Sequence, residues 1–385
     1  MRKIILLSVL VLFFISCKNE TSNLSQDKNN HYKFNLTLKD SIKIAIDSSM
    51  SYRYISHQLI ETDSITFLLV GDLNNNGFTV LDLDNKKTIK KIFFDATGPE
   101  GIGSSSAGRN FYYHNKDSIF IFNQRRNELY IFNDDGIISE SINLSNLINF
   151  EIGEVVVENK FMPSFKNEIL SFCVYPIIPP YKNSKKSTEP IYVALDLKSK
   201  NLKKGLLTYE MSHLKNRHPA YHFPSRVAFP ERDVFIFPFE MNITVTNKDN
   251  FEIVNYSFNS QYAKELTPML DGFDKMKEYD VESTLNYALY FQTDNNLFYL
   301  IIDLGIPFID PNTGKQNQYE QKPFVVLVFD ENFNKLKEQK FEGSKYLIQN
   351  TFVGPKGLYL SKNNPLNPNF DENFYKYDIF ALEGN

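Results

Sequence analysis

Three histidines fall within a stretch of ten residues and could bind a zinc ion through their imidazole nitrogens. They are His213, His218 and His222, and imidazole is a common zinc ligand. The spacings of five and four residues, with Pro219 between them, do not place all three on one face of a helix. We therefore interpret this stretch as a polar loop, and we expect neither a bound metal nor a cofactor.

A second candidate for metal binding is the stretch DLNNNG at residues 72–77, which matches the start of a calcium loop. The twelfth position of such a loop is a bidentate Glu, but here it is Leu83. An Asn-Gly pair also forms tight turns between strands. The sequence therefore predicts a hairpin turn in this place.

Four polar side chains are the residues that we predict to contact a ligand: Arg109, Tyr221, His222 and Arg226. They lie in segments that lead into the inner strands of the repeated units described below, and such loops often carry function on a rigid scaffold. The alternative is that these side chains are solvated or structural. No G-x-S-x-G, H-E-x-x-H, P-loop or Rossmann motif occurs in the sequence, so the sequence leaves any catalytic residues unknown.

The composition indicates a β-rich globular protein. Of the 385 residues, 42% are hydrophobic and 15% are aromatic, with 34 Phe and 22 Tyr. Aromatic and β-branched residues favour strands, and a chain of this length can bury a large core. The formal net charge of −4 gives no electrostatic reason to bind nucleic acid.

A short apolar strand that follows a polar turn recurs along the chain. Copies start near residues 63, 117, 167, 232, 295 and 356, at intervals of 50–65 residues. Each copy is preceded by another strand-like segment, and several are followed by one or two more. Because a four-stranded sheet buries both faces only by stacking against neighbours, this pattern predicts a six-bladed β-propeller.

The two ends of the repeat indicate how the ring closes. The last unit stops one strand short, whereas the alternating segment at residues 32–44 is not needed by the first unit. We predict that this N-terminal strand is the outer strand of the last blade, which leaves few exposed strand edges. A seven-bladed ring and a two-sheet sandwich with insertions are the alternatives.

The N-terminus is typical of a secretory signal. A basic start precedes a 12-residue apolar run, residues 4–15, which ends at Ser16 and Cys17. A run of this length cannot span a bilayer, which needs about 20 residues. We therefore predict that residues 1–16 are a signal peptide.

Residues 14–17, Phe-Ile-Ser-Cys, resemble the lipobox of bacterial lipoproteins, although Phe14 stands where Leu is usual. The resemblance implies cleavage before Cys17 and lipidation of that cysteine. Lys18, rather than Asp, follows it, which favours the outer membrane. The polar residues 17–31 cannot bury enough surface to fold, so we predict a tether that holds a domain at residues 32–385 clear of the lipid.

The lipobox and the repeats together resemble those of uncharacterised six-bladed β-propeller lipoproteins of Gram-negative bacteria, and more distantly NHL-type and TolB-like propellers. The motif that supports the resemblance to NHL-type propellers is TGPEGIG at residues 97–103, between the first and second units. The other five junctions lack this motif. The resemblance implies a fold and a location in the cell envelope, and it implies no activity, because propellers support many functions.

Two functions follow as hypotheses. The first is a non-enzymatic binding or interaction module, anchored to the membrane by lipid, with a protein, peptide or glycan partner that the sequence does not identify. The alternative is an envelope hydrolase or lyase that acts on a glycan, lactone or peptide at the mouth of the propeller channel. The absence of a catalytic motif favours the first.

Overall fold

The computed structural model describes residues 33–384, apart from residues 55, 63, 72–75, 99–100, 104–109, 124–125, 148–153, 158, 176–189, 206, 209–223, 249–251 and 268–274. The described residues form six antiparallel sheets and include a short helix, Met276–Glu282. Each sheet is one blade, so the predicted six-bladed β-propeller is confirmed. Within this part of the chain no helix is long and apolar enough to cross a bilayer.

Within a blade the strands follow one another in chain order from the centre of the ring outwards, except that β10 and β11 of blade 3 share one position and that the outermost strand of blade 6 is β1. Blade 1 contains β2 (His57–Glu61), β3 (Thr66–Gly71), β4 (Gly77–Asp82) and β5 (Lys87–Phe93). Blade 2 contains β6 (Phe111–Asn115), β7 (Ser118–Asn123), β8 (Glu128–Phe132) and β9 (Ile138–Asn143). Blade 3 contains β10 (Glu154–Val156), β11 (Ser164–Lys166), β12 (Ile169–Tyr175), β13 (Tyr192–Asp196) and β14 (Leu202–Lys204).

The second half of the ring has the same arrangement. Blade 4 contains β15 (Ser225–Ala228), β16 (Arg232–Ile236), β17 (Asn242–Asn247) and β18 (Ile253–Ser257). Blade 5 contains β19 (Leu285–Gln292), β20 (Leu297–Asp303), β21 (Phe324–Phe329) and β22 (Lys335–Phe341). Blade 6 contains β23 (Phe352–Gly354), β24 (Gly357–Ser361), β25 (Phe374–Gly384) and, outermost, β1 (Phe34–Ala45).

The ring closes through β1, as the sequence predicts. This strand pairs antiparallel with β25 from Phe34 opposite Gly384 to Ala45 opposite Phe374, with a bulge between Leu38 and Asp40. The N-terminal strand thus completes the blade that the C-terminal strands begin. Because the first and last parts of the chain share one sheet, the ring cannot open without breaking this pairing.

The hydrophobic core is divided among the six interfaces between neighbouring blades. Each of the six clusters of buried apolar side chains contains residues of two adjacent blades. A sheet that packs on both faces buries both sets of alternate side chains, which explains why every residue of β20 and β21 is buried. These strands therefore appear in the sequence as unbroken apolar runs.

The ring has two distinct ends. The inner strands run in the same direction, as the parallel bridge between Phe161 and Arg226 of neighbouring blades illustrates. We call the end at which they begin the mouth face. It carries the loops that enter each inner strand and the loops between the second and third strands, including residues 46–56, 304–323, 342–351 and 362–373.

The inner strand of blade 3 departs from the regular pattern. Its two short segments, β10 and β11, both pair with β12, and the chain leaves the sheet between them. The sequence predicts one strand-like segment at residues 160–165 there, but only residues 164–166 pair with β12, and Phe161 instead bridges to Arg226 of blade 4. Of the residues in between, Asn159 and Lys160 bond to the inner strands of blades 1 and 4 and form part of the site.

Candidate functional site

Residues 159–161 contact the inner strands of blades 1 and 4 near the mouth face, and we call them the channel plug. The His57 backbone N–H donates to Asn159 Oδ1 at 2.6 Å, and the Arg226 backbone N–H donates to the Lys160 carbonyl oxygen at 2.7 Å. Blades 1 and 3 are not neighbours, so the first of these bonds spans the ring. The plug fixes the position of Lys160 at the mouth of the channel.

Five side chains gather beside the plug, and we call them the mouth cluster: Lys160, Tyr287, Asp303, Tyr319 and Lys322. Lys160 Nζ lies 4.7 Å from the centre of the Tyr287 ring, a distance at which a cation is attracted to the ring face. The group therefore joins the plug from blade 3 to the inner strand and the mouth-face loop of blade 5.

The charged centre of the mouth cluster is a buried ion pair. Lys322 Nζ lies 2.9 Å from Asp303 Oδ2, and both side chains are 2% exposed. The same ammonium donates to the carbonyl oxygens of Asp280 and Ser283, so its three N–H groups are all engaged. Burial raises the pKa of Asp303, and Lys322 opposes this rise.

The two tyrosines give the mouth cluster an aromatic border. The Tyr319 ring centre lies 5.1 Å from Lys322 Nζ, and burial raises the pKa of Tyr319 well above its usual value, with a further contribution from Asp303. The Tyr319 phenol is therefore a neutral hydrogen-bonding group near pH 7. With two ammonium groups, one carboxylate and two phenols, the cluster can bind a polar ligand through hydrogen bonds and ring contacts.

A small cavity adjoins the cluster between the loops at 304–323 and 342–351. Asp303 and Gln349 both line it, and Asp303 Oδ1 and Gln349 Oε1 are buried without a hydrogen-bond partner in the described part of the chain. Buried acceptors of this kind are rare in folded proteins. A hydrogen-bond donor in this cavity would therefore be favourable.

Among the predicted ligand-contacting residues, the described residues include Arg226 alone. Its guanidinium is buried against Asp233, with Nη2 at 2.9 Å from Oδ1, and it packs over the rings of Phe161 and Tyr192. It thus lies between blades 3 and 4 and holds the plug through its backbone N–H. The predicted contact of Arg226 with a ligand stays a prediction.

The other predicted residues lie outside the described residues. They are Arg109, Tyr221 and His222, together with His213, His218, Cys17 and most of the loop at 72–77. The strands that flank that loop, β3 and β4, form the predicted hairpin. Within the described ranges, no group of three His, Cys, Asp or Glu side chains is arranged to hold a metal ion.

The mouth cluster was not predicted from the sequence, although the positions of two of its residues indicate an ion pair. Asp303 ends the apolar run of β20, and Lys322 stands two residues before the apolar run of β21. A charged residue at each end of a mouth-face loop between two buried strands is a sign of a pair. Lys160 carries no such signal, because only the plug brings it to blade 5.

Of the segment at residues 97–103, which carries the NHL-type resemblance, residues 97–98 and 101–103 are described, and they lie between β5 and β6. Gly98 and Gly103 have φ angles of 93° and 96°, which other residues rarely adopt. The backbone N–H of Gly103 donates to the Ala96 carbonyl oxygen. The glycines therefore serve a sharp change of chain direction at the mouth face.

Comparisons with known proteins support the fold. No curated protein is significantly similar to the chain. The crystal structure of a DUF4221 family member from Bacteroides vulgatus is 20% identical, with a TM-score of 0.78 over 92% of this chain and 100% of that chain. A putative exported protein from Bacteroides fragilis is 12% identical, with a TM-score of 0.52 over 95% of this chain and 98% of that chain.

These similarities show a shared propeller fold. The family comparison is more specific, because the DUF4221 model, described as a domain of unknown function, matches residues 33–340. That match begins beside β1 and extends into β22 in blade 5. The chain therefore belongs to the DUF4221 family, a family of uncharacterised proteins with a six-bladed β-propeller in this member.

Proposed function

We propose that this protein is a lipid-anchored binding module of the cell envelope whose ligand contacts the mouth cluster. The observation that carries the proposal is the meeting of Lys160, from the plug, with Tyr287 and the buried Asp303–Lys322 pair of blade 5. Polar and aromatic groups that converge on a rigid scaffold are typical of a ligand site.

The geometry of the mouth cluster favours binding over catalysis. Its carboxylate is held by Lys322, and the three N–H groups of Lys322 are engaged by Asp303 and two backbone carbonyl oxygens. A general acid or base must be free to exchange a proton with the reacting group. The cluster is therefore better suited to holding a ligand than to transforming it.

The anchor is the second part of the proposal. The lipobox-like sequence at residues 14–17 supports lipidation of Cys17, and Lys18 supports placement at the outer membrane. The mildly acidic chain offers no basic patch in its composition to hold it at anionic lipids. Lipid would then be the link to the membrane.

The test compares the full chain in membranes with two variants of the mouth cluster, Lys160→Ala and Tyr287→Ala. Polysaccharide and peptide fractions of the envelope are passed over each protein, and retention is measured together with turnover in hydrolase and lyase assays. We expect one fraction to be retained unchanged by the wild type and lost by both variants. Lys315→Ala, which alters an exposed lysine of the same mouth-face loop, is the matched control.

Two results would contradict the proposal. Equal retention by the wild type and by both mouth-cluster variants would place the ligand elsewhere. Turnover of a retained fraction would favour the alternative, an enzyme of the envelope.

A further inference from the structure

We propose that a groove beside the loop that joins blade 5 to blade 6 binds a small organic anion, one that carries a carboxylate or a phosphate group. The groove lies between the mouth-face loops at 342–351 and 362–373, and no residue of the mouth cluster lines it. The inference therefore adds a second site to the one proposed above, and the two sites can be tested separately.

The groove is large enough for a ligand. Its volume is about 590 Å³, within the range of about 300–1,000 Å³ that is usual for small-molecule sites. Leu38 and Ser41 of β1 line it, together with Asp378 of β25, residues 343–345, Lys362 and residues 367–369. All of these residues belong to the described part of the chain.

A buried carboxylate holds one lysine in place at the groove. The Asp378 side chain is 4% exposed, and its Oδ1 lies 3.2 Å from Lys362 Nζ. Ser41 Oγ donates to the same oxygen at 2.6 Å, and the Tyr346 hydroxyl donates to Oδ2 at 2.8 Å. Because both carboxylate oxygens are engaged, Asp378 needs no cation from outside, and its effect is to fix the half-buried Lys362 ammonium.

The second ammonium group of the groove has no carboxylate partner. Lys345 Nζ lies 4.9 Å from the centre of the Tyr346 ring, and Lys345 forms no ion pair with an Asp or Glu of the described residues. Three acidic side chains in the adjoining segments have lysine partners of their own: Glu342 with Lys340, Glu383 with Lys39, and Asp371 with Lys376. The positive charge of Lys345 is therefore available to a ligand.

The lining of the groove carries one net positive charge, although the whole chain is mildly acidic. Lys345 and Lys362 contribute two ammonium groups, and Asp378 contributes one carboxylate. Asp40 lies opposite Ile379, and therefore on the other face of the sheet from Ser41 and Asp378. An anion in the groove would be attracted to both ammonium groups, whereas a cation would be repelled.

The loops around the groove are held in position without a ligand. Asn367 Nδ2 donates to the Lys345 carbonyl oxygen at 2.8 Å, and Asn364 Nδ2 donates to the Tyr346 carbonyl oxygen at 3.0 Å. These two bonds tie the loop at 362–373 to the loop at 342–351. A preorganised site loses less conformational entropy when its ligand binds, so the arrangement favours binding.

The rest of the lining indicates an organic anion. Leu38 is 51% exposed, and Pro368 is also exposed, so the groove offers apolar surface beside its ammonium groups. Ammonium groups make strong hydrogen bonds to carboxylate and phosphate oxygens. An inorganic ion would leave the apolar surface uncovered, whereas an anion with an apolar substituent can contact both parts.

The test is isothermal titration calorimetry on the full chain with two anionic probes, phenyl phosphate and phenylacetate, and one neutral probe, 2-phenylethanol. We expect at least one anion to bind saturably and the neutral probe not to bind. In Lys345→Met and in Lys362→Met the affinity should fall roughly tenfold to a hundredfold, the factor for one hydrogen bond to a charged group. Lys87→Met, the same change at an exposed lysine of β5, is the matched control.

Two further variants keep the test decisive. Lys362→Arg retains the positive charge beside Asp378 and should bind the anion even if Lys362→Met does not fold. Lys160→Ala, in the mouth cluster, should bind it like the wild type. Binding of no anion, equal binding of the neutral probe, or an affinity unchanged in Lys345→Met would overturn the inference.

The outcome for this groove is separable from that for the mouth cluster. Anion binding that is lost in Lys160→Ala but kept in Lys345→Met would overturn the second site while the proposed binding function stands. Anion binding that is lost in Lys345→Met, with no envelope fraction retained through Lys160, would support the groove and contradict the proposed function of the mouth cluster.

Discussion

Removal of β1 should abolish cooperative folding of the propeller. Deletion of residues 33–45 takes away three buried side chains, Leu36, Ile42 and Ile44, and the pairing with β25. At about 1.5–3 kcal/mol for each buried aliphatic side chain, the loss is about 5–9 kcal/mol. This is comparable to the whole free energy of unfolding of a typical domain, about 5–15 kcal/mol.

The assay is chemical denaturation followed by circular dichroism, with a dye that reports exposed apolar surface. The control is a chain that begins at Lys33 and therefore keeps β1. We expect the control to unfold in one sharp transition and the deletion variant to unfold gradually, with dye bound before any denaturant is added. A deletion variant that unfolds sharply at the midpoint of the control would refute the closure argument.

Three further predictions concern other parts of the chain. Arg226→Ala should destabilise the protein by about 3 kcal/mol in urea unfolding, because it leaves the buried Asp233 carboxylate without its guanidinium partner. Joint replacement of Arg226 by Met and Asp233 by Leu should restore much of this stability. A double variant as unstable as Arg226→Ala would contradict the reasoning. Burial lowers the pKa of His57 from 6.5 to about 3. Between these pH values His57 binds a proton in the unfolded state but not in the folded state, so the free energy of unfolding falls as the pH falls. Relative to His57→Leu, the wild type should lose about 2 kcal/mol more between pH 7 and pH 5, and parallel losses would argue against a neutral buried imidazole. Cys17→Ser should leave the membrane fraction after a carbonate wash, and continued membrane association would refute lipidation.

The blades were predictable because the residue pattern that each strand and turn requires is set within a short stretch of sequence. A strand that packs on both faces must be apolar throughout, and a turn between two such strands must be polar, so the six repeats are visible as alternating runs. Closure by β1 was predictable for a similar reason. The alternating strand at the N-terminal end is not needed by the first blade, and the last blade lacks one strand, so pairing the two accounts for both. The inner strand of blade 3 was not, because its interruption depends on bonds such as that between His57 and Asn159.

The candidate site was less predictable than the fold. Lys160 and Asp303 are far apart in the sequence, and they come close only after the ring has closed and the plug has formed. Arg226 was selected for its charge and its position in a loop, whereas its side chain has a buried partner, Asp233, seven residues away on the neighbouring strand. A polar residue near an inner strand can therefore stabilise the packing between blades as readily as it can contact a ligand.

The direction of β1 has a consequence for how the protein can be held. Phe34 lies opposite Gly384, and the strand then runs to Ala45, where the chain enters the loop at 46–56 on the mouth face. Both ends of the described chain thus leave the ring at the side away from the mouth face. A lipid, a surface or a fusion partner that is attached at either terminus would therefore join the propeller at the face opposite the mouth cluster.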